Sequence, residues 1–254
     1  RSSRASALRN LGQVRLMRGQ PRAALRALRA ACEAAQATGE ETILLLSGGC
    51  DGLFAPRPGG GSIIWKVPSG PPVDVPFQPV ANADRSMIYF VTPDHRLKKI
   101  RGSDGHVVFH VPVAGQTIVF PGWNAVLAGQ VVAVGKVDIF AFDTASGAPR
   151  WTYVAPDLEE TGRAGLVSDG STIYAAGLTG RVHAIDATTG AARWVADLRE
   201  GRDDIGSLSP TYSDGSVYVC TRSAFTNPAQ GTIWALDAAT GAVRWLHRIH
   251  PELP

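Results

Sequence analysis

Two vicinal carboxylates, Asp203 and Asp204, are the pair in this 254-residue chain closest to a catalytic or metal-binding set. Adjacent acids can split into acid and base, or share a cation, when a fold buries them together. In a stretch as polar as LREGRDDIGS (198–207) they read first as solvated loop charges. The six histidines, His95, His106, His110, His183, His247 and His250, are scattered. His247 and His250 stand three apart, which on an extended strand sends them to opposite faces. No third ligand accompanies them, so a zinc site is not expected. Cys32, Cys50 and Cys220 lie far apart with no CxxC spacing and read as buried thiols. No GxSxG, phosphate-binding P-loop or HExxH is present. These residues do not assemble into a catalytic constellation, and the chain is not expected to be an enzyme.

The elements that would have to position any site come next. Hydrophobic residues make up 44% of the chain and charged residues 19%, with a mean hydropathy of zero, which suits a soluble protein with a sizeable core. No apolar run reaches eighteen residues, so no transmembrane segment is expected. The chain starts on Arg1 without an apolar signal core and reads as an internal piece of a longer polypeptide. Eight of the 25 basic residues and one of the 22 acids fall in residues 1–38, leaving 17 and 21 for residues 39–254. Basicity thus belongs to the N-terminal segment, and a nucleic-acid footprint across the surface is not supported.

Residues 1–38 are rich in Ala, Leu and Arg, and Gly19 and Pro21 divide them into two helical stretches, near 5–17 and 21–37. Leu8, Leu11 and Val14 line one face, and Leu25, Leu28, Ala31 and Cys32 another. With Leu11–Gly12, Gly19, Ala24, Leu28 and Ala31 in place, this hairpin resembles a tetratricopeptide repeat, although Arg15 takes the usual tyrosine position. An Arg- and Ser-rich transit presequence (RSSRASALRN) is the rival reading, and a membrane-surface helix the third.

Beyond it, one phrase recurs: DTASGAPRW (143–151), DATTGAARW (186–194) and DAATGAVRW (237–245). Weaker copies end at Trp65 (RPGGGSIIW) and Phe109 (GSDGHVVF), so the anchors fall at 65, 109, 151, 194 and 245. Steps of 44, 42, 43 and 51 residues without helical periodicity predict propeller blades. Within one unit, AGLVS, TIYAAG, RVHAID and AARWVADL read as four short strands punctuated by SDGS, GLTG and ATTG. Asp186 is placed to accept backbone N–H groups of its turn, and Gly190 to supply a positive φ. Trp194 points off the outer strand into the gap between blades. Ala184, with Ala235 and Ala141 at the same offset, is small where a neighbour's ring is expected to approach.

AIDATTGAARW (184–194) and ALDAATGAVRW (235–245) resemble the tryptophan-docking motif of quinoprotein-type β-propellers, and AFDTASGAPRW (141–151) matches with Ser146 for Thr. The resemblance covers residues 41–250 and implies a β-propeller of four-stranded antiparallel blades in residues 39–254. About four full blades plus a partial first one form an incomplete ring of an eight-bladed kind, with a small five-bladed closure as the alternative. It implies a structural role for Ala184, Asp186, Gly190 and Trp194, for Ala235, Asp237, Gly241 and Trp245, for Asp143, Gly147 and Trp151, and for Trp65 and Phe109. Members of the family include pyrroloquinoline-quinone (PQQ) alcohol dehydrogenases, the propeller lipoprotein of the outer-membrane assembly machine, and sensor regions of signalling proteins. The dehydrogenases use an adjacent cysteine pair beside the quinone, a catalytic Asp, and Glu, Asn and Asp ligands to calcium. This chain has no adjacent cysteines, and neither PQQ nor calcium is expected. The resemblance implies a non-catalytic scaffold that binds a protein or a ligand outside the cytoplasm, with a fragment of a PQQ-dependent dehydrogenase, or the sensor region of a signalling protein, as the alternatives.

In an up-and-down blade the first and third turns share one face, while the second turn and the inter-blade connection share the other. Short uniform turns occupy the first face; TPDHR (92–96), PDLEETGRAG (156–165), LREGRDDIGS (198–207) and RSAFTNPAQG (222–231) occupy the second. Irregular loops on a regular scaffold are where binding concentrates. Glu159, Glu160, Arg163, Arg202, Asp203, Asp204 and Arg222 are the candidate binding face.

Overall fold

β-branched and aromatic runs such as MIYFVT, TIYAA and SVYVC favour extended backbone, and each forms a strand in the computed structural model of the chain. The structure describes residues 52–56, 63–68, 79–92, 94–113, 124–135, 138–154, 165–177, 179–200, 205–207, 210–223 and 231–249. The helical hairpin expected in residues 1–38 lies outside them.

Among the described residues, nineteen strands form five antiparallel sheets in chain order. The first holds β1 (Gly52–Pro56) and β2 (Ile63–Pro68). The second holds β3 (Val80–Ala81), β4 (Met87–Thr92), β5 (Arg96–Arg101) and β6 (Val107–Pro112). The third is β7 (Asn124–Ala128), β8 (Val131–Gly135), β9 (Ile139–Asp143) and β10 (Pro149–Tyr153). The fourth is β11 (Gly165–Ser168), β12 (Thr172–Ala176), β13 (Arg181–Asp186) and β14 (Ala192–Asp197). In the fifth, β17 (Ser216–Ser223), β18 (Gly231–Asp237) and β19 (Val243–Ile249) follow an inner strand in two pieces, β15 (Ile205–Ser207) and β16 (Thr211–Ser213). Both pieces pair with β17. Pro210, which has no N–H for a ladder, lies between them. This is the β-propeller expected from the repeat, with four full blades and the described part of a first.

The blades pack face to face, and strand alternation decides which neighbour each residue meets. On β12, Ile173 and Ala175 join Ala133, Ile139 and Ala141 of the third blade. Tyr174 and Ala176 instead join Val217, Val219 and Leu236 of the fifth. Tyr89, Val91 and Leu97 meet Val132, Val134 and Phe142, while Trp65 and Val67 meet Ile88, Phe90 and Ile100. Central strands buried on both faces explain why IYAA and YFV carry no polar alternation. On β19, the last strand of the fifth blade, Val243, Trp245 and Ile249 are about half exposed.

Candidate functional site

Backbone hydrogen bonds sort the turns onto two faces. Ala187 N–H donates to Ser171 O, Ala238 N–H to Gly215 O, Thr144 N–H to Gln130 O and Gly102 N–H to Ser86 O, so first and third turns meet in four blades. On the other face the exit of the fourth strand meets the second turn, through Leu198 N–H to Gly180 O and Val113 N–H to His95 O.

Each repeated phrase folds into the same turn on the first face. Asp186 Oδ1 accepts the N–H groups of Thr188 and Thr189 and the Thr189 hydroxyl, at 3.0, 2.8 and 3.0 Å. Its Oδ2 pairs with Arg193 at 2.7 Å. Asp237 repeats the pattern with Ala239, Thr240 and Arg244, and Asp143 with Ala145, Ser146 and Arg150. The arginine, followed by the turn's donors, holds Asp186 down to about 2. The same groups hold Asp237 to about 2 and Asp143 well below the ordinary carboxylate range. The arginine preceding each tryptophan went unread in the sequence, although all three copies carry it.

The glycine of each turn is left-handed, with φ +75° at Gly147, Gly190 and Gly241 and +71° at Gly105. An aromatic ring of the preceding blade lies over every one. A methyl group built on Gly241 or Gly190 would stand 2.7 Å from Trp194 or Trp151; on Gly105 it would stand 2.8 Å from Trp65, and on Gly147 3.0 Å from Phe109. The indole N–H then donates to the second residue of the facing turn: Trp65 to Gly102 O at 2.9 Å, Trp151 to Ala187 O and Trp194 to Ala238 O at 3.0 Å. Tyr174 adds its hydroxyl to Ala238 O at 3.1 Å while also donating to Asp169. The sequence reading assigned the glycine a positive φ and missed that it must also lack a side chain.

Ala184 is in register with Trp194 of its own blade, as Ala141 is with Trp151 and Ala235 with Trp245. Ala184 also packs in the cluster that holds Trp234 of the fifth blade, while the ring of the preceding blade lies over the glycine. Trp194 and Trp151 are partly buried and Trp65 is 7% exposed. Trp245, at 47% exposure, rests beside Tyr218 and meets no described turn.

Of the candidate binding face, Glu159, Glu160, Arg163, Arg202, Asp203 and Asp204 lie outside the described residues. The backbone of Arg222 lies on β17 opposite Gly206. On the same face, His95 takes a left-handed φ of +59° in its turn, and Arg96 donates to His110 O. His183, expected only as a scattered histidine, is 3% exposed and hydrogen-bonded through Nδ1 to the Tyr153 hydroxyl of the third blade at 2.9 Å.

Among the described residues no three His, Cys, Asp or Glu side chains gather, and Cys220, expected as a buried thiol, is instead exposed on β17. No helix among them is long and apolar enough to cross a membrane.

Residues 135–253 match the family model described as outer membrane protein assembly factor BamB. No curated protein sequence matches the chain. Among solved structures, BamB from Moraxella catarrhalis is similar over 81% of this chain and 73% of its own, at 21% identity and a TM-score of 0.51. The quinohemoprotein alcohol dehydrogenase ADHIIG from Pseudomonas putida HK5 is similar over 51% of this chain and 22% of its own, at 25% identity and a TM-score of 0.43. A europium-containing methanol dehydrogenase gives 48% and 23%, at 20% identity and a TM-score of 0.42. The chain spans under a quarter of either dehydrogenase. The chain is thus a β-propeller, and its residues 135–253 resemble the family described as outer membrane protein assembly factor BamB.

Proposed function

We propose that this chain is a non-catalytic propeller scaffold that binds a partner protein in the bacterial cell envelope. The observation that carries the reading is the closure of the repeated phrase on itself. Asp143, Asp186 and Asp237 are saturated by their own turns and arginines, and Trp65, Trp151 and Trp194 by the next blade's carbonyl. The most recurrent chemistry of the chain is therefore spent on holding blades together, which supports a structural assignment for it. The family description supports an assembly role at the outer membrane, and hence an extracytoplasmic location. The partner surface is assigned to the face of the second turns and inter-blade loops, through Glu159, Glu160, Arg163, Arg202, Asp203, Asp204 and Arg222.

A photo-crosslinking amino acid placed at 163, 202 and 222, and in parallel at 145, 188 and 239 on the opposite face, tests this in the native host. One defined protein captured from the loop-face positions, and lost on charge reversal of Arg163 and Arg202, is expected. Capture from the docking-turn face alone, or unchanged capture after charge reversal, contradicts the assignment. Incubation with the quinone and calcium should give no dye-linked alcohol oxidation; measurable turnover would overturn the non-catalytic reading.

A further inference from the structure

The junction between the second and third blades departs from the other three. Its ring is Phe109, which lies over Gly147 as the tryptophans lie over their glycines, yet has no N–H to give. The carbonyl awaiting a donor is Thr144 O, the second residue of the turn, equivalent to Gly102, Ala187 and Ala238. At the position in register with the ring, where the third, fourth and fifth blades carry Ala141, Ala184 and Ala235, the second carries Lys99.

Lys99 is 8% exposed, and its Nζ donates to Thr144 O at 2.7 Å. The ammonium lies 5.7 Å from the Phe109 ring centroid and 5.6 Å from that of Tyr89, within cation–π range of both. Tyr89 donates its hydroxyl to the same carbonyl at 3.2 Å, as Tyr174 does to Ala238 O beside Trp194. One acceptor, two donors and one ring over a left-handed glycine are thus kept, with the second donor moved from the indole to a lysine.

We infer that Lys99 replaces the indole N–H at this junction, so that Lys99 and Phe109 act as one exchange for the alanine–tryptophan pair used elsewhere. This seam is fastened by a cation, and the two substitutions are coupled: a tryptophan needs the alanine's space, and a phenylalanine needs the lysine's donor. The inference rests on junction geometry and is independent of the partner-binding reading.

The test compares thermal unfolding of the full chain with Lys99→Met, Lys99→Ala, Phe109→Trp and the double variant Lys99→Ala/Phe109→Trp. Amide exchange in the Asp143–Ala148 turn reports on the seam itself. Lys99→Met keeps the length and apolar stem and removes charge and donor; it is expected to lower Tm by about 3–6 °C and speed exchange in that turn about tenfold. Phe109→Trp alone should not raise Tm. The double variant should recover most of what Lys99→Ala loses, including when Lys99→Ala fails to fold by itself. A Lys99→Met chain as stable as the parent, or a double variant no better than Lys99→Ala, overturns the inference.

Discussion

Gly241 and Gly170 differ in one respect that makes them a matched pair. Both are left-handed, with φ +75° and +96°, so an alanine at either costs about 1–2 kcal/mol of backbone strain. A methyl group at Gly170 would meet nothing within 4 Å, whereas at Gly241 it would meet Trp194 at 2.7 Å. Gly241→Ala therefore has to push the indole off the turn. That stretches or breaks the Trp194–Ala238 hydrogen bond, worth about 1 kcal/mol, and adds roughly 1–2 kcal/mol of overpacking in an ordered interface. The expected costs are about 3–5 kcal/mol for Gly241→Ala and about 1–2 kcal/mol for Gly170→Ala. Equilibrium urea unfolding followed by circular dichroism measures both, with indole fluorescence as a local probe of Trp194. Equal costs would refute the claim that the glycine is required by a neighbour's ring as well as by its own φ.

Other outcomes follow from the same contacts. Trp194→Ala should cost about 2–3 kcal/mol in denaturant unfolding, less than the ~3–5 of a fully buried ring because this one is partly exposed. Trp245→Ala, half exposed beside Tyr218, should cost about 1 kcal/mol, less than Trp194→Ala. Tyr174→Phe removes a buried hydroxyl shared by Asp169 and Ala238 O and should cost about 1–2 kcal/mol in the same assay. Asp186 and Asp237 are held at about 2 in the fold against an ordinary value of 3.8. Folding thus favours their ionised forms, and the stability they contribute is complete above about pH 4 and lost as pH falls towards 2. A pH series of melting curves should show that acid loss, blunted in the Asp186→Asn chain.

Blade number and strand order were legible because the repeat is written in residues whose roles are local. Asp186 caps its own turn and Gly190 bends it, so both work within nine residues and recur wherever the turn recurs. What depends on the neighbouring blade was not legible. Nothing in DATTGAARW says that Gly190 lies under Trp151, thirty-nine residues upstream, or that Ala184 shares a cluster with Trp234 of the next blade. Lys99 escaped for the same reason. Nothing in RLKKIR marks it, and only strand register sets it beside Phe109 with Thr144 O in reach. The half-exposure of Trp245 was hidden too, since its phrase is as complete as that of Trp194. The loop-face charges rest on topology alone, because irregular loops lack the repetition that made the turns readable.

The central claim is that the repeated phrase fastens one blade to the next. A double-mutant cycle between Trp194→Ala and Gly241→Ala, forty-seven positions apart and in different blades, tests it most directly. If ring and glycine are one contact, the methyl group's steric cost vanishes once the indole is gone, and the double variant should be more stable than the sum of the singles predicts by about 1–3 kcal/mol. Additivity within about 0.3 kcal/mol would show that the two residues act separately and would contradict the account.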